Sequence, residues 1–301
     1  MDKNTIIGFV MIAAILIGYS IYSQPSEEEI AQQKELARLD SIQNAKNKKD
    51  AELKFKAEKE HSVEDNDSTG VFFAASKGVN KDIILENEKL ALTFSTHGGV
   101  VKKAVVKNFK GHRKDMPDTD NVTLFDSDDQ HLNFMVATKE SNISTKDLYF
   151  TPSEVTDSTL TLTAEASQGK SLVLTYKLGK DYMLHMSLRV NGMKGLFAPN
   201  YDKIDIDWYD KCRQQEKGFT FENRYTTLTY KENNGSSDYL SETSEKRDES
   251  IEEALDWVAF KNQFFSVIMI SKDNFEKNAL LTSIPQEKGT GYLKEFQAKM
   301  K

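Results

Sequence analysis

The sequence holds one cysteine, Cys212, in 301 residues. No internal disulfide is open to it. A domain of this size does not need one even in an oxidising compartment, so the lone thiol leaves the compartment undecided. Catalytic signatures are equally scarce. There is no glycine-rich phosphate loop, no G-x-S-x-G, no H-E-x-x-H and no paired cysteine. The five histidines, at positions 61, 97, 112, 131 and 185, stand without metal-ligand spacing. After Tyr22 no apolar run approaches the eighteen or so residues that read as a membrane span. The longest, FFSVIMI at 264–270, is strand-sized. A net charge of −7 keeps the body soluble and argues against nucleic acid or anionic lipid as partners.

What is present begins at the front. Ile6 to Tyr22 carries no charge, and Ile6, Ile7, Phe9, Val10, Ile12, Ile15, Leu16, Ile17 and Ile21 give it nine strongly apolar side chains. As a helix this stretch rises roughly 26 Å, at the short end of a bilayer's hydrocarbon thickness. Nine such residues contribute roughly −3 to −5 kcal/mol to insertion. Lys3 precedes the stretch and Glu27, Glu28 and Glu29 follow it, which places the amino terminus in the cytoplasm and the body outside. The following SIYSQPS lacks the small-residue cleavage pattern of a signal peptide. Residues 1–24 therefore read as one uncleaved transmembrane anchor.

Residues 25–70 change character. Glu, Lys, Ala and Gln dominate, with no Gly between Ser26 and Thr69 and no Pro after Pro25. Ile30, Leu36, Leu39 and Ile42 hint at an apolar edge without sustaining heptads, so the segment reads as a solvated, partly helical spacer. Its reach is roughly 65 Å if helical and 35 to 40 Å if a flexible coil.

From residue 71 onward alternation takes over. YMLHMSLRV sets Tyr182, Leu184, Met186, Leu188 and Val190 on one face of an extended chain. KSLVLTYKL, LALTFST, VTLF, HLNFMVAT, LTLTA, KIDIDWY and YTTLTY behave alike, separated by turn-rich HGG, DSDDQ, SQGK, NGMKG and ENNGSSD. Many short strands with close turns and no alternating helices predict an all-β, antiparallel sandwich. DWVAFKNQFFSVIMI (256–270) differs. Phe264, Ser266, Ile268 and Ile270 share one face, Phe265, Val267 and Met269 the other, so this strand is expected to be covered on both sides. Upstream, SIEE offers Ser250 as an N-cap with Glu253 reaching back, which predicts a short helix from about Ile251.

Three local features invite chemistry and are better read without it. His97 precedes Gly98 and Gly99, a pair suited to a turn. Asp205 and Asp207 share a strand face but lack further oxygen ligands at defined offsets for calcium. NRYTTLTYKENN could bind sugar or peptide, yet cross-strand Thr and Tyr pairing explains it equally well.

With these features in order, the chain resembles the amino-terminal part of the YidC/Oxa/Alb membrane-protein insertases, as found in Gram-negative bacteria. The carrying residues are the anchor MDKNTIIGFVMIAAILIGYSIYSQP, the charged spacer, LALTFSTHGGVVKKAVVKNF (90–109) with Gly98 and Gly99, and DWVAFKNQFFSVIMI. The last is similar to a W-(V/I)-A…(Y/F)F signature and holds Trp257, Phe264 and Phe265. The resemblance implies a large twisted β-sandwich like that of galactose mutarotase over residues 71–301, in the periplasm. It implies an accessory, non-enzymatic role with no cofactor and no metal. Partners implied are the inner-membrane bilayer, Sec translocon components and nascent membrane proteins, with no nucleic acid. The family's five-helix insertase core is not found before Lys301, so the chain is expected to stop inside or near the end of the periplasmic domain. Under the same resemblance Phe264 and Trp257 are expected in the core, each worth roughly 3 to 5 kcal/mol on truncation to Ala. The alternative is a membrane-tethered carbohydrate-binding or aldose-epimerase-like protein. That chemistry needs a general acid and base converging on a sugar, and no histidine pairs convincingly with a carboxylate in the sequence.

Overall fold

The computed structural model describes residues 70–111, 120–139, 142–166, 169–193, 195, 197, 203–240 and 245–301. Apart from Gly70, the expected anchor and spacer lie outside them, as do His61 and His112. Among the described residues no helix is long and apolar enough to cross a membrane.

The described residues belong to one compact unit built almost entirely of strands. In chain order these are β1 (Asp82–Glu86), β2 (Leu90–Ser95), β3 (Val101–Lys110), β4 (Asn121–Asp126), β5 (Gln130–Ala137) and β6 (Asn142–Ser144). Then come β7 (Thr151–Val155), β8 (Thr159–Glu165), β9 (Ser171–Leu178), β10 (Leu184–Asn191) and β11 (Asp205–Arg213). A two-turn helix α1 (Phe219–Tyr225) precedes β12 (Thr227–Glu232), β13 (Ser237–Tyr239), β14 (Arg247–Ile251), β15 (Leu255–Lys261), β16 (Ser266–Phe275), β17 (Ala279–Pro285) and β18 (Tyr292–Met300).

The strands make four sheets, ordered β1-β2-β3-β4, β10-β9-β8-β7, β14-β17-β18-β11-β5-β6 and β13-β12-β15-β16. Every strand pairing in them is antiparallel. The all-β expectation therefore holds. β11 is the seam of the molecule, pairing with β5 on one side and β18 on the other.

Two hydrophobic cores result. The first draws Leu92 and Phe94 from β2, Leu160 and Leu162 from β8, and Leu172, Leu174 and Tyr176 from β9. Phe94 and Tyr176 meet there with ring centroids 4.7 Å apart. The second gathers Trp208, Leu228, Val258, Phe260, Leu281, Leu293 and Phe296. The six-stranded sheet serves both, since Phe134 and Val136 of β5 and Ile143 of β6 belong to the first. Alternation decided these faces: in β8 and β9 each second residue is buried, as burying one face of a pleated strand requires.

Four local expectations are corrected. Residues 256–270 are not one strand but a hairpin of β15 and β16, turned by Asn262. Its Oδ1 accepts the backbone N–H of Phe264 at 3.1 Å and of Phe265 at 2.8 Å, a turn built by an Asn side chain. Nor is the segment covered on both sides: Phe264, Ile268 and Ile270 are 65%, 51% and 56% exposed. No helix starts at Ile251, because Ser250 and Ile251 end β14, paired with Leu280 and Ala279 of β17. Ile251 is buried in the second core, and that burial outweighs a local capping pattern. In YMLHMSLRV only Leu184, Leu188 and Val190 pack on the first core, while Tyr182, which precedes β10, and Met186 stay exposed. Finally, Tyr225 closes α1 and the strand expected at 225–230 begins at Thr227.

Candidate functional site

The glycine pair sits where the sequence puts it, between β2 and β3. Gly98 and Gly99 have φ of +82° and +72°, a conformation that side chains with a Cβ disfavour. Space matters as well at Gly99, where a Cβ would lie 2.7 Å from Leu174 Cδ1 and 3.0 Å from Phe150 Cδ2. The Tyr176 hydroxyl donates to the Gly99 carbonyl at 2.8 Å, which ties the turn to β9. His97 stacks on Tyr149 at 4.5 Å between rings and is exposed. These contacts give the turn a structural role.

Trp257 and Phe265 divide between the faces of the hairpin. Phe265 packs against the first core and makes an edge contact of 5.7 Å with Phe109. Trp257 is half-buried and lies opposite Ile270 on β16 and Lys231 on β12. It therefore belongs to the outer face, with the exposed isoleucines and not with the core.

The sequence concealed a His–carboxylate pair. His131 of β5 and Asp207 of β11 face each other at 3.9 Å, and His131 stacks on Tyr209 at 4.9 Å. Burial pushes the Asp207 carboxyl up, but nearby His131, the hydrogen bond from Gln297 and the charge of Lys299 outweigh it and hold it below its ordinary range. Gln297 Nε2 donates at 2.7 Å. A carboxylate kept ionised on an open strand face orients its neighbour. It is not poised as a general acid. Asp205 lies nearby with Lys301 at 3.6 Å, and among the described residues no group of three or more His, Cys, Asp or Glu could hold a metal.

A second cluster is buried. Asp129 accepts the Tyr292 hydroxyl at 2.7 Å and the Asp126 amide at 3.1 Å, and it also binds Arg213 Nε. Asp210 lies on the core-facing phase of β11 with Trp208 and Cys212 and is 4% exposed. Burial pushes its carboxyl up to about 8, Asp129 adds to the rise, and Arg213 opposes it. Its Oδ1 has no partner, nor does Oε1 of Gln130, the residue opposite it on β5. Burial, with Asp210 and Glu222 beside it, also pushes the Cys212 thiol up, so it is no nucleophile. Glu222 of α1 accepts amides from Gln215 at 2.9 Å and Glu216 at 2.9 Å. It fixes the loop before the helix. The one signal for this cluster was the polar Asp210 in the apolar phase of its strand.

A cleft of about 370 Å³ lies elsewhere, lined by Lys77, Lys81, Thr96, Tyr149 and Glu165 among others. Neither the His131 pair nor the Asp210 cluster lines it. The His131–Asp207 pair, the Asp210 cluster and the cleft thus occupy three different places.

Structural neighbours include a galactose mutarotase-like protein from Lactobacillus casei, at 13% identity and TM-score 0.47 over 73% of this chain and 87% of that one. A putative aldose 1-epimerase from Escherichia coli matches at 9% identity and TM-score 0.38, over 74% and 88%. Among curated proteins, "Membrane protein insertase YidC" of Phocaeicola vulgatus is 43% identical over 100% of this chain and 47% of its own length. The proteins of that name from Bacteroides fragilis and Porphyromonas gingivalis are 37% and 32% identical over 100% and 98% of this chain. The chain spans about half the length of the curated relatives it matches. Residues 82–301 match the family model described as the YidC periplasmic domain, and the chain belongs to that family.

Proposed function

We propose that this chain supplies the first transmembrane helix and the accessory periplasmic domain of an inner-membrane protein insertase. In this reading residues 1–24 anchor it with the amino terminus in the cytoplasm, 25–70 form a spacer, and 71–301 form a mutarotase-like supersandwich in the periplasm. The domain makes or breaks no bond and uses no cofactor. It assists insertion and folding by contact, with nascent membrane proteins and Sec translocon components as its partners.

One observation carries the reading. Similarity to proteins named as insertases runs through the whole chain, 303 aligned residues at 43% identity, so the apolar front and the β unit travel together. The separation of His131–Asp207, Asp210 and the cleft supports a non-catalytic role.

Proteolysis of spheroplasts producing the full chain, followed with antibodies to each end, tests the topology. Digestion of the β unit only after outer-membrane removal is expected. Digestion only after lysis of the inner membrane would contradict it. A thermal melt with common hexoses at millimolar concentration tests the sugar-binding alternative. No shift is expected, whereas a saturable rise would transfer the function to carbohydrate binding.

A further inference from the structure

We infer that the outer face of the β15–β16 hairpin is a docking surface for a phospholipid bilayer. Strand register places Ser266, Ile268 and Ile270 of β16 beside Lys261, Ala259 and Trp257 of β15 on one face. Phe264 stands exposed at the turn, and Lys272 follows on the same strand. β16 is the edge of its sheet. Edge strands are ordinarily guarded by charge, proline or a covering element, and here Ile268 and Ile270 stand exposed in the middle of the open face.

Charge selects the occupant. Phe264, Ser266, Ile268, Ile270 and Lys272, with Trp257, the buried Ala259 and Lys261 opposite, include two lysines and no carboxylate, in a chain of net charge −7, while Lys231 beside Trp257 is neutralised by Asp256. Whole-chain charge argues against acidic partners, but screening confines such effects to about 8 Å at physiological salt. The local sign therefore governs contact. Isoleucines, an aromatic tip, a tryptophan and flanking lysines match the layered chemistry of a lipid interface. The apolar side chains enter the acyl boundary, Trp257 sits at headgroup level, and the lysines reach phosphates. A tether raises the local concentration of such a weak surface, so a modest affinity suffices.

This inference rests on the proposed membrane location and goes beyond it. The test uses the full chain in phosphatidylethanolamine–phosphatidylglycerol vesicles, spin-labelled at Ile268→Cys or, as a control on exposed β10, at His185→Cys. Cys212 is buried and its thiol is held protonated, so the label goes to the introduced cysteine. In chain that floats with the vesicles, the label at 268 should be several-fold less accessible to a water-soluble paramagnetic reagent than that at 185, and more accessible to oxygen. Adding Ile270→Glu, or Lys261→Glu with Lys272→Glu, should return position 268 to water while the thermal melt stays unchanged. Equal water access at both positions in floated chain would overturn the docking and leave the anchor intact. Chain that fails to float would overturn both. Shielding of position 268 from both reagents, with spin–spin broadening, would mean a second copy covers the face and would also overturn it.

Discussion

Trp208 of β11 stacks on Phe260 of β15 with ring centroids 3.8 Å apart and planes 22° from parallel. This contact joins the six-stranded sheet to the β13-β12-β15-β16 sheet, and Phe296 extends it at 5.4 Å from Phe260. All three are buried. Phe260→Ala should cost roughly 3 to 5 kcal/mol, the range for a buried aromatic. Phe264→Ala, four residues on and exposed, should stay within about 0.5 kcal/mol. Denaturant melts of the two variants check the contrast, and equal losses would refute the assignment of the core.

Gly99 offers a second measurement. Gly99→Ala meets both an unfavourable φ and contacts with Leu174 and Phe150, so it should cost more than the ~1 kcal/mol of a left-handed alanine alone. Gly98→Ala, with its nearest neighbours at 3.7 Å, should cost about that 1 kcal/mol. Tyr176→Phe leaves a buried carbonyl without its donor and should cost about 1 to 3 kcal/mol. Chemical denaturation ranks the three.

Asp210 makes stability depend on pH. Its folded carboxyl titrates near 8 because burial and then Asp129 disfavour the charge, with Arg213 opposing. The unfolded group titrates near 4. Between these values the native state holds the extra proton, so this group's contribution to stability falls as pH rises from about 4 to 8. Asp210→Asn should therefore stabilise the protein most at pH 8, on the order of 2–5 kcal/mol at about 1.4 kcal/mol per unit, and the gain should vanish near pH 4. A gain independent of pH would refute this account of Asp210.

Cys212 reports opening. Buried, and with its thiol pushed up by burial and by Asp210 and Glu222, it should react with maleimide only through unfolding, at the rate of global exchange. Rapid labelling of the native chain at pH 7 would place the thiol at the surface.

Much of the β unit was legible because a half-buried strand writes its burial into alternation. Leu160, Leu162, Leu172 and Leu174 are such positions, and the Gly98–Gly99 turn was equally readable. The misses share one cause. Ser250 satisfies a capping pattern, yet Ile251 is worth more in the second core than a short helix would be. FFSVIMI is apolar on both faces, and sequence offers no sign that one face stays open. The His131–Asp207 pair and the Asp129–Arg213–Tyr292 group join residues far apart in the chain, brought together only by the pairing of β5, β11 and β18.

Site-specific photo-crosslinking in cells tests the insertase reading most directly. A photoreactive residue on exposed surface of the β unit, at positions such as Tyr239 and Met186, is activated while inner-membrane proteins are being synthesised. Adducts with nascent membrane proteins or with Sec translocon components are the expected result, lost when synthesis is blocked. If the chain is correctly exported and folded yet gives no such adduct from any surface position, an accessory role in insertion is contradicted.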